Sequence, residues 1–501
     1  MPSPNLEHGG FTTSCWFLAV ACYCIMPLRG CDVHGCSKSA ARKHGGCLIC
    51  SRNHCGAHIK SASHRCHSEA RDQPTPSPDT DPDAYREAYL SSQRGHLFKV
   101  LDQLDVCTLT SLASNLRRGV PCSIPALTAD RDTQWRRISK HMTKTDFHVD
   151  INFQDGVVWD ARIRLRNDAF PPLSVQKYVF LSEVFTLKFL EKTAVPAPGV
   201  YYHYWADSAD GQVGVSFVFL EKMGGRKLQW DKASKSRQTK IMEQLVDISL
   251  ELERHSFEMT GSIVPSDDGE VSVGGYAQLP LFRDSRTPIG PFSSLNASLR
   301  AIMHLQLDII TDGEFAHLSL CHFLSYLWRL HTISDLVAST ESREGGPFYL
   351  KHFCETDDHI MVDDDGNITA IIDWSSSSIK SKEYAFSSPA MLWPTRSFVG
   401  GDNALSPAEL DFADIYRRRG RPDMADIVLK GRKLQRFLYS LGDSWTADQW
   451  GFEALFLGLR KAFIREGDEN SAAVAQESFE FWKKKLISKY SVEYPQLQRL
   501  F

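Results

Sequence analysis

Hydrophobic and polar positions follow two periods along this chain. Leucines at helical spacing over 96–117 predict an amphipathic helix, whereas alternation over 147–153 and 157–165 predicts a β-hairpin. The apolar run over 213–220 predicts a buried strand. Helices are predicted over 174–192, with Ser174 as its cap, and over 234–256, 315–336, 405–418, 423–441, 447–466 and 471–488. Strands followed by helices are typical of an α+β fold with two lobes.

Composition divides the chain before residue 85 into three segments. Residues 1–28 are an apolar leader, in which the run from Cys15 to Leu28 has 14 residues, fewer than the ~20 that span a bilayer. We interpret it as a buried segment or an extension of the gene model, with a membrane anchor as the alternative. Residues 29–67 are rich in Cys, His and basic residues. Residues 68–84 are Pro-rich and acidic, which predicts a flexible linker with few contacts across it, ahead of a large domain over 85–490.

Net charge argues against two classes of partner. The 501 residues carry a net charge of −4, with a pI of about 6.5, so the whole chain does not have the character of a membrane or nucleic-acid binder. Only the stretch from Arg29 to Arg65 is basic, with seven Lys or Arg against one acid. A nucleic-acid-associated regulator is therefore the last-ranked function. Cysteines are sparse in the large domain, which favours a reducing, cytoplasmic location.

The basic segment contains a set of metal-ligating residue types. Its members are Cys31, Cys36, Cys47, Cys50, Cys55, His58, His64 and Cys66. Structural zinc takes four Cys or His ligands, so these eight residues predict two zinc ions. The segment has too little core to fold alone, and metal would supply its stability. A disulfide cluster or a fortuitous composition is the alternative.

From Cys47 onward, the spacing resembles that of the AN-one-type zinc finger, in which two zinc ions are held by interleaved pairs of ligands. The resemblance implies two ligand sets. The first is Cys31, Cys36, Cys55 and His58, and the second is Cys47, Cys50, His64 and Cys66. The opening CDVHGC has four residues between its cysteines where the family has two, so His34 could replace either cysteine.

The stretch over 346–374 carries the second chemical signature. Two strand-like runs, IMV and ITAIID, flank a turn at 365–367; a loop containing His352 precedes the first run, and Asp373 ends the second. Kinase-like enzymes use such a hairpin to place a catalytic loop and a metal-binding Asp at the nucleotide phosphates.

This hairpin resembles that of the aminoglycoside phosphotransferase family, particularly its fungal members, and implies a two-lobed protein-kinase-like fold. In this register His352 and Asp373 match the family's residues. Cys354 stands at the catalytic Asp position, and His359 stands at the metal-binding Asn position. The resemblance implies ATP with Mg²⁺ or Mn²⁺ as cofactor and a small-molecule hydroxyl acceptor.

Upstream landmarks resemble the same family. WDARIRL matches the strand of the phosphate-contacting base, with Arg162 as the first choice and Arg164 as the second. The helix SEVFTLKFL places the paired acid at Glu183. Backbone groups from Glu221 to Met223 match the hinge that meets adenine. No Gly lies between 139 and 155, where a phosphate-covering loop would have one.

The altered loop leaves two functions open. A Cys thiol is mostly neutral at pH 7 and lacks a second oxygen to orient an acceptor, so Asp358, or Glu355 or Asp357, could substitute for it. An imidazole at 359 suits Mn²⁺ better than Mg²⁺. The chain is therefore expected to be a small-molecule kinase with an altered loop. The alternative is a catalytically impaired kinase-fold binding protein, whose zinc module recruits a protein partner.

Overall fold

The computed structural model describes most of the chain. The described residues are 29–41, 46–47, 49–59, 82–206, 213–284, 287–314, 318–338, 340, 345–352, 356–439, 449–464 and 477–500. The predictions made for the leader, for most of the linker and for His64, Cys66, Cys354 and Glu355 lie outside these residues.

An antiparallel sheet forms the first lobe. Its strands are β1 (Cys122–Ser123), β2 (Asp146–Phe153), β3 (Val158–Arg164), β4 (Val200–Tyr204) and β5 (Phe217–Glu221). The order is β1-β2-β3-β5-β4, so β3 is central. The helices of this half are α1 (Gly56–Ile59), α2 (Pro82–Gln103), α3 (Val106–Leu116), α4 (Arg131–Ile138) and α5 (Leu173–Leu190). Apolar side chains of α2 and α3 pack on one face of the sheet, around Phe147, Ile151 and Phe217.

The second lobe is mainly helical. Its helices are α6 (Lys235–Glu253), α7 (Leu295–Thr311), α8 (Ser319–Ala338), α9 (Lys382–Ala385), α10 (Thr395–Val399), α11 (Pro407–Arg418), α12 (Pro422–Lys430), α13 (Arg432–Leu438), α14 (Gln449–Lys461) and α15 (Phe479–Tyr490). Its strands are β6 (Arg226–Lys227), β7 (Ser256–Phe257), β8 (Ser262–Pro265), β9 (Val271–Gly274), β10 (Phe348–Lys351), β11 (Ile360–Val362), β12 (Ile368–Ile371) and β13 (Ser378–Ser381). The predicted α+β class with two lobes is confirmed.

Short antiparallel sheets place the hairpin of 346–374 at the junction of the lobes. Strands β11 and β12 pair with each other, and β11 also pairs with β6, which follows the hinge. Strand β10, which precedes the His352 loop, lies between β13 and β7. Both ends of the hairpin are therefore held by neighbouring strands of the second lobe. Ile371 N also donates to Pro196 O at 2.7 Å, and this bond joins the hairpin to the first lobe.

Three predicted helix details are wrong for local reasons. The helix predicted over 96–117 is two helices, because the Asp105 carboxylate caps a new helix by accepting from Thr108 N at 2.9 Å. The helix predicted over 423–441 is interrupted at Gly431. The helix α5 begins at Leu173 after Pro172, so Ser174 is not its cap. Among the described residues, no helix has both the length and the apolar character to cross a bilayer.

Residues 29–59 contact the first lobe. Asn53 Nδ2 donates to Asp168 O at 3.3 Å, on the loop between β3 and α5. Ser92 Oγ of α2 donates to Ile49 O at 3.2 Å. The linker composition predicts few contacts between the small segment and the large domain. The described part of that segment nevertheless makes several contacts with the first lobe. The contacts reach the loop that leads into α5.

Candidate active site

A cleft of about 620 Å³ lies between the lobes, within the ~300–1,000 Å³ that small-molecule sites occupy. The first lobe contributes residues of β2, β3 and α5 to its wall, and the segment after β5 contributes the hinge. The second lobe contributes His359 and the residues from Ile372 to Ser376. The sequence-predicted residues Arg162, Glu183 and Asp373 therefore line the same cavity.

Arg162 and Glu183 form a buried bidentate ion pair. Arg162 extends from the central strand β3, and its Nη1 and Nη2 donate to the two Glu183 oxygens at 2.7 and 2.8 Å. The two side chains are 10% and 5% exposed. Burial opposes the charge on Arg162, but Glu183 and Asp146 outweigh that effect and raise its pKa. The pair links the sheet to α5 as the sequence predicts.

Asp373 occupies a left-handed backbone position at the end of the hairpin. Its φ is 60°, an uncommon conformation for a residue with a side chain. The preceding residue is anchored twice, because Ile372 N donates to His359 O at 2.9 Å and His352 Nε2 lies 3.0 Å from Ile372 O. A carbonyl can only accept, so His352 Nε2 carries the proton. His352 thus orients the segment that carries Asp373.

The Asp373 carboxylate faces His359. Its Oδ2 lies 3.6 Å from His359 Nε2, and Ser375 donates to Oδ1. Burial disfavours ionisation of Asp373, but His359 and Ser375 hold its pKa below the usual range, and Arg162 contributes in the same direction. A charged carboxylate, an imidazole and a guanidinium therefore converge on one corner of the cleft. The carboxylate and the imidazole can coordinate a divalent cation, and the guanidinium can bind an anionic phosphate.

The hinge residues also line the cleft. Glu221 and Met223 are among the lining residues. Glu221 N donates to Gly199 O at 2.8 Å, and its Oε2 accepts from Gly199 N at 3.3 Å. These bonds hold the Glu221 side chain beside Gly199, just before β4, and they use the main-chain N–H of Glu221.

Residues of the connection between β1 and β2 also enter the cleft, and sequence reasoning missed them. Lys140, Thr143 and Lys144 line the cavity. The turn is glycine-free as predicted, and it is closed instead by Thr143 Oγ1, which accepts from Asp146 N at 3.0 Å. Two lysines and a hydroxyl thus lie where a glycine-rich loop would offer backbone N–H groups. The only signal in the sequence was the motif KHMTKT itself.

Charged pairs cover the face of the sheet that borders the cleft. Arg164 Nη1 lies 3.0 Å from Asp146 Oδ1, and His148 Nδ1 lies 2.7 Å from Asp160 Oδ2. Burial opposes the charge on both carboxylates; Arg164 nevertheless lowers the pKa of Asp146, and His148 lowers that of Asp160. Arg164 is therefore occupied by Asp146, and Arg162 alone pairs with Glu183.

The carboxylates considered as substitutes for the catalytic Asp point elsewhere. Asp357 accepts from Trp230 N at 2.9 Å, and burial raises its pKa. Asp358 accepts from Thr356 Oγ1 at 2.6 Å. Neither residue lines the cleft. The structure therefore does not bring Asp358 together with Asp373, and Cys354 lies outside the described residues.

A second cluster lies in the small segment. The ligand atoms of Cys31, Cys36, Cys55 and His58 are all within 4.8 Å of one another. Cys36 Sγ and Cys55 Sγ are 3.9 Å apart, and Cys31 Sγ is 3.2 Å from His58 Nδ1. A tetrahedral zinc with bonds of ~2.3 Å places its sulfur ligands roughly 3.8 Å apart, so this set fits such an ion.

The second predicted zinc site is described only in part. Cys47 and Cys50 lie in a tight turn, in which Ser51 N donates to Cys47 O at 2.8 Å. Their expected partners, His64 and Cys66, lie outside the described residues. The sulfur atoms of Cys36 and Cys55 are 3.9 Å apart, longer than the ~2.05 Å of an S–S bond, so these two cysteines do not form a disulfide with each other.

The sheet order, the ion pair between β3 and α5 and the Asp at the end of the hairpin define a protein-kinase-like fold. Among solved structures, a candidate aminoglycoside phosphotransferase from Ralstonia eutropha is similar at 14% identity and a TM-score of 0.37, over 69% of this chain and 90% of that one. An ethanolamine kinase from Plasmodium vivax is similar at 13% identity and a TM-score of 0.37, over 69% of this chain and 79% of that one.

A macrolide 2′-phosphotransferase from Brachybacterium faecium gives 15% identity and a TM-score of 0.34, over 72% of this chain and 99% of that one. No protein-family model and no curated protein matches the chain. TM-scores this low leave the geometry of the cleft as the basis for the function.

Proposed function

We propose that this chain is an ATP-dependent small-molecule phosphotransferase of the aminoglycoside phosphotransferase type, with an altered catalytic loop. One observation carries the proposal: the Arg162–Glu183 pair and Asp373 converge on a single cleft. Phosphoryl transfer depends mainly on positioning and on charge neutralisation. A fixed guanidinium and an ionised carboxylate at one site supply both.

Each residue has a role in this proposal. Arg162, fixed by Glu183, would contact the nucleotide phosphates, and backbone groups from Glu221 to Met223 would meet the adenine. Asp373 and His359 would hold the divalent cation that neutralises the phosphates. One carboxylate and one imidazole at 3.6 Å fit Mn²⁺ better than Mg²⁺, which prefers oxygen ligands alone. His352 orients the segment that carries Asp373.

The acceptor side determines how fast the reaction proceeds. Cys354 stands at the position of the catalytic Asp, and the described carboxylates nearest in sequence, Asp357 and Asp358, are bonded away from the cleft. Without a positioned base, general-base catalysis worth ~10²–10⁴ in rate is lost. We therefore expect nucleotide binding to be retained and turnover to be slow.

A catalytically impaired binding protein is the second candidate, and the position of Asp357 and Asp358 favours it. In that case the nucleotide, if bound, stabilises the fold, and the zinc module recruits a protein partner. We propose that Cys31, Cys36, Cys55 and His58 hold one structural zinc, and Cys47, Cys50, His64 and Cys66 a second. The sparse cysteines of the large domain favour a reducing, cytoplasmic location.

Isothermal titration calorimetry with ATP and either Mg²⁺ or Mn²⁺ tests the proposal. The wild type is expected to bind, and more tightly with Mn²⁺. Asp373→Ala should weaken binding at least tenfold. The matched control Asp267→Ala, at an exposed turn outside the cleft, should leave it unchanged. No binding with either cation would reject the phosphotransferase and leave the scaffold function.

A further inference from the structure

Among the residues that the structure describes, two buried arginines of the helical lobe form no ion pair with a carboxylate. Arg329 on α8 is 8% exposed and Arg436 on α13 is 2% exposed. Two other buried arginines of this lobe are neutralised: Arg432 lies 2.7 Å from Glu409, and Arg460 pairs with Glu477. Within the described part of the chain, Arg329 and Arg436 form no such pair.

Within the described ranges, the acceptors of both guanidinium groups are neutral. Arg329 Nη1 donates to Ser325 Oγ at 2.8 Å, and its Nη2 lies 3.5 Å from Tyr439 O. Arg436 Nε donates to Asn403 Oδ1 at 2.8 Å, and Nη2 donates to a main-chain carbonyl at 2.7 Å. Arg329 Nε and Arg436 Nη1 are buried and have no acceptor among the described residues.

Both arginines line one small cavity. Its volume is about 30 Å³, more than the ~10–15 Å³ that one water molecule needs. His322, Ser325 and Tyr439 complete its polar wall, and Phe452 lies on its apolar side. None of its lining residues belongs to the cleft between the lobes. The cavity is therefore a separate site.

Burial of two cations without an ion pair is unfavourable, and the Asp402 carboxylate offsets only part of the charge of Arg436, from a distance. A charge that is removed from water needs a counter-charge or several hydrogen bonds. Aromatic faces supply part of the compensation, because Arg329 Cζ lies 5.4 Å from the Tyr326 ring centroid and Arg436 Cζ lies 3.6 Å from that of Phe398. Burial lowers the pKa of Arg329 to about 10 and that of Arg436 to about 9, so both remain charged at neutral pH.

We propose that Arg329 and Arg436 form a binding site for a small anion or for the anionic group of a ligand, a carboxylate or a phosphate. The unused Nε and Nη1 donors supply one hydrogen bond each, and oxyanions accept such charge-assisted bonds. The occupant offsets the positive charge that the two guanidinium groups share, fully as a phosphate dianion and by half as a carboxylate, and it joins α8 to α13. This site is independent of the proposed phosphotransferase activity.

Thermal-shift titrations of the full-length protein with inorganic phosphate, and separately with acetate, at constant ionic strength test the proposal. We expect a saturable rise in melting temperature with at least one of the two anions. Arg329→Gln and Arg436→Gln should each weaken the apparent affinity at least tenfold, and Arg436→Lys should retain part of it. Arg300→Gln, at an exposed position on α7, should match the wild type. Lys144→Gln, in the cleft, should also keep the response.

A selenate soak of wild-type crystals gives a second readout that needs no variant to fold. An anomalous peak between the two guanidinium groups supports the site. The chain has two carboxylates of its own in the segment after Tyr439, Asp443 and Asp448. If phosphate or acetate acts only on the double variant Asp443→Asn/Asp448→Asn, the counter-ion is internal and the proposal is overturned. A response lost in Lys144→Gln, or no response to either anion together with no peak, also overturns it.

Discussion

Replacing Glu183 by Gln separates the structural role of the buried ion pair from its functional role. The substitution keeps the shape of the side chain and leaves the Arg162 guanidinium buried without its bidentate partner. Breaking a buried pair from one side costs about 3–5 kcal/mol. Asp146 and Asp373 also act on Arg162 and compensate in part, so we expect about 3 kcal/mol.

The double variant Arg162→Met/Glu183→Met removes both charges. Because replacing a buried ion pair with apolar groups of similar volume is often close to neutral, most of the lost stability should return. Nucleotide affinity should not return, because the phosphate-contacting cation is absent. The single and double variants should thus differ in stability and agree in their loss of ATP binding, by at least tenfold.

Urea unfolding followed by tryptophan fluorescence measures the stability, and calorimetry measures ATP binding. Glu270→Gln is the matched control, because its ion pair with Lys192 is 3.8 Å long and highly exposed and should cost less than about 1 kcal/mol. Equal destabilisation of the single and double variants would refute the charge argument. Wild-type ATP affinity in Glu183→Gln would show that the pair is structural only.

Three further outcomes are expected. Cys55→Ser should lose one zinc equivalent by metal analysis and lower the melting temperature of the whole chain, because its segment packs on the first lobe; an unchanged zinc content would contradict the cluster. Gly46→Ala should destabilise that packing by about 1–3 kcal/mol, since its Cβ would lie 2.8 Å from Ala169 O. Gly30→Ala is the control, because a Cβ there meets nothing within 4 Å. Equal rates of proteolysis in the two variants would refute the contact. The folded-state pKa of Asp373 is lowered. The difference in unfolding free energy between the wild type and Asp373→Asn should therefore be constant above about pH 5 and fall only below about pH 4. A difference that begins to fall near pH 7 would exclude this carboxylate as its source.

Much of the site was predictable because its residues sit at fixed offsets in short motifs. Arg162 and Asp373 were found by register within a strand and a hairpin, and the structure brings both to one cleft. Lys144 was not found, because it reaches the cleft through a long connection whose path depends on tertiary packing. The buried Arg329 and Arg436 were missed for the same reason: on a helix, a lone arginine follows the pattern of a solvated face, and only packing shows it buried.

The central claim is that the cleft binds a metal–nucleotide complex while the altered loop limits turnover. The direct test compares ATP hydrolysis by the wild type and by Cys354→Asp/His359→Asn under identical Mg²⁺ and Mn²⁺ conditions, with Asp373→Ala as the inactive control. The account predicts that the double variant is faster by ~10²–10⁴, since it regains a positioned base. A wild type that already hydrolyses ATP at the rate of the double variant would contradict it and assign the role of the base to another group.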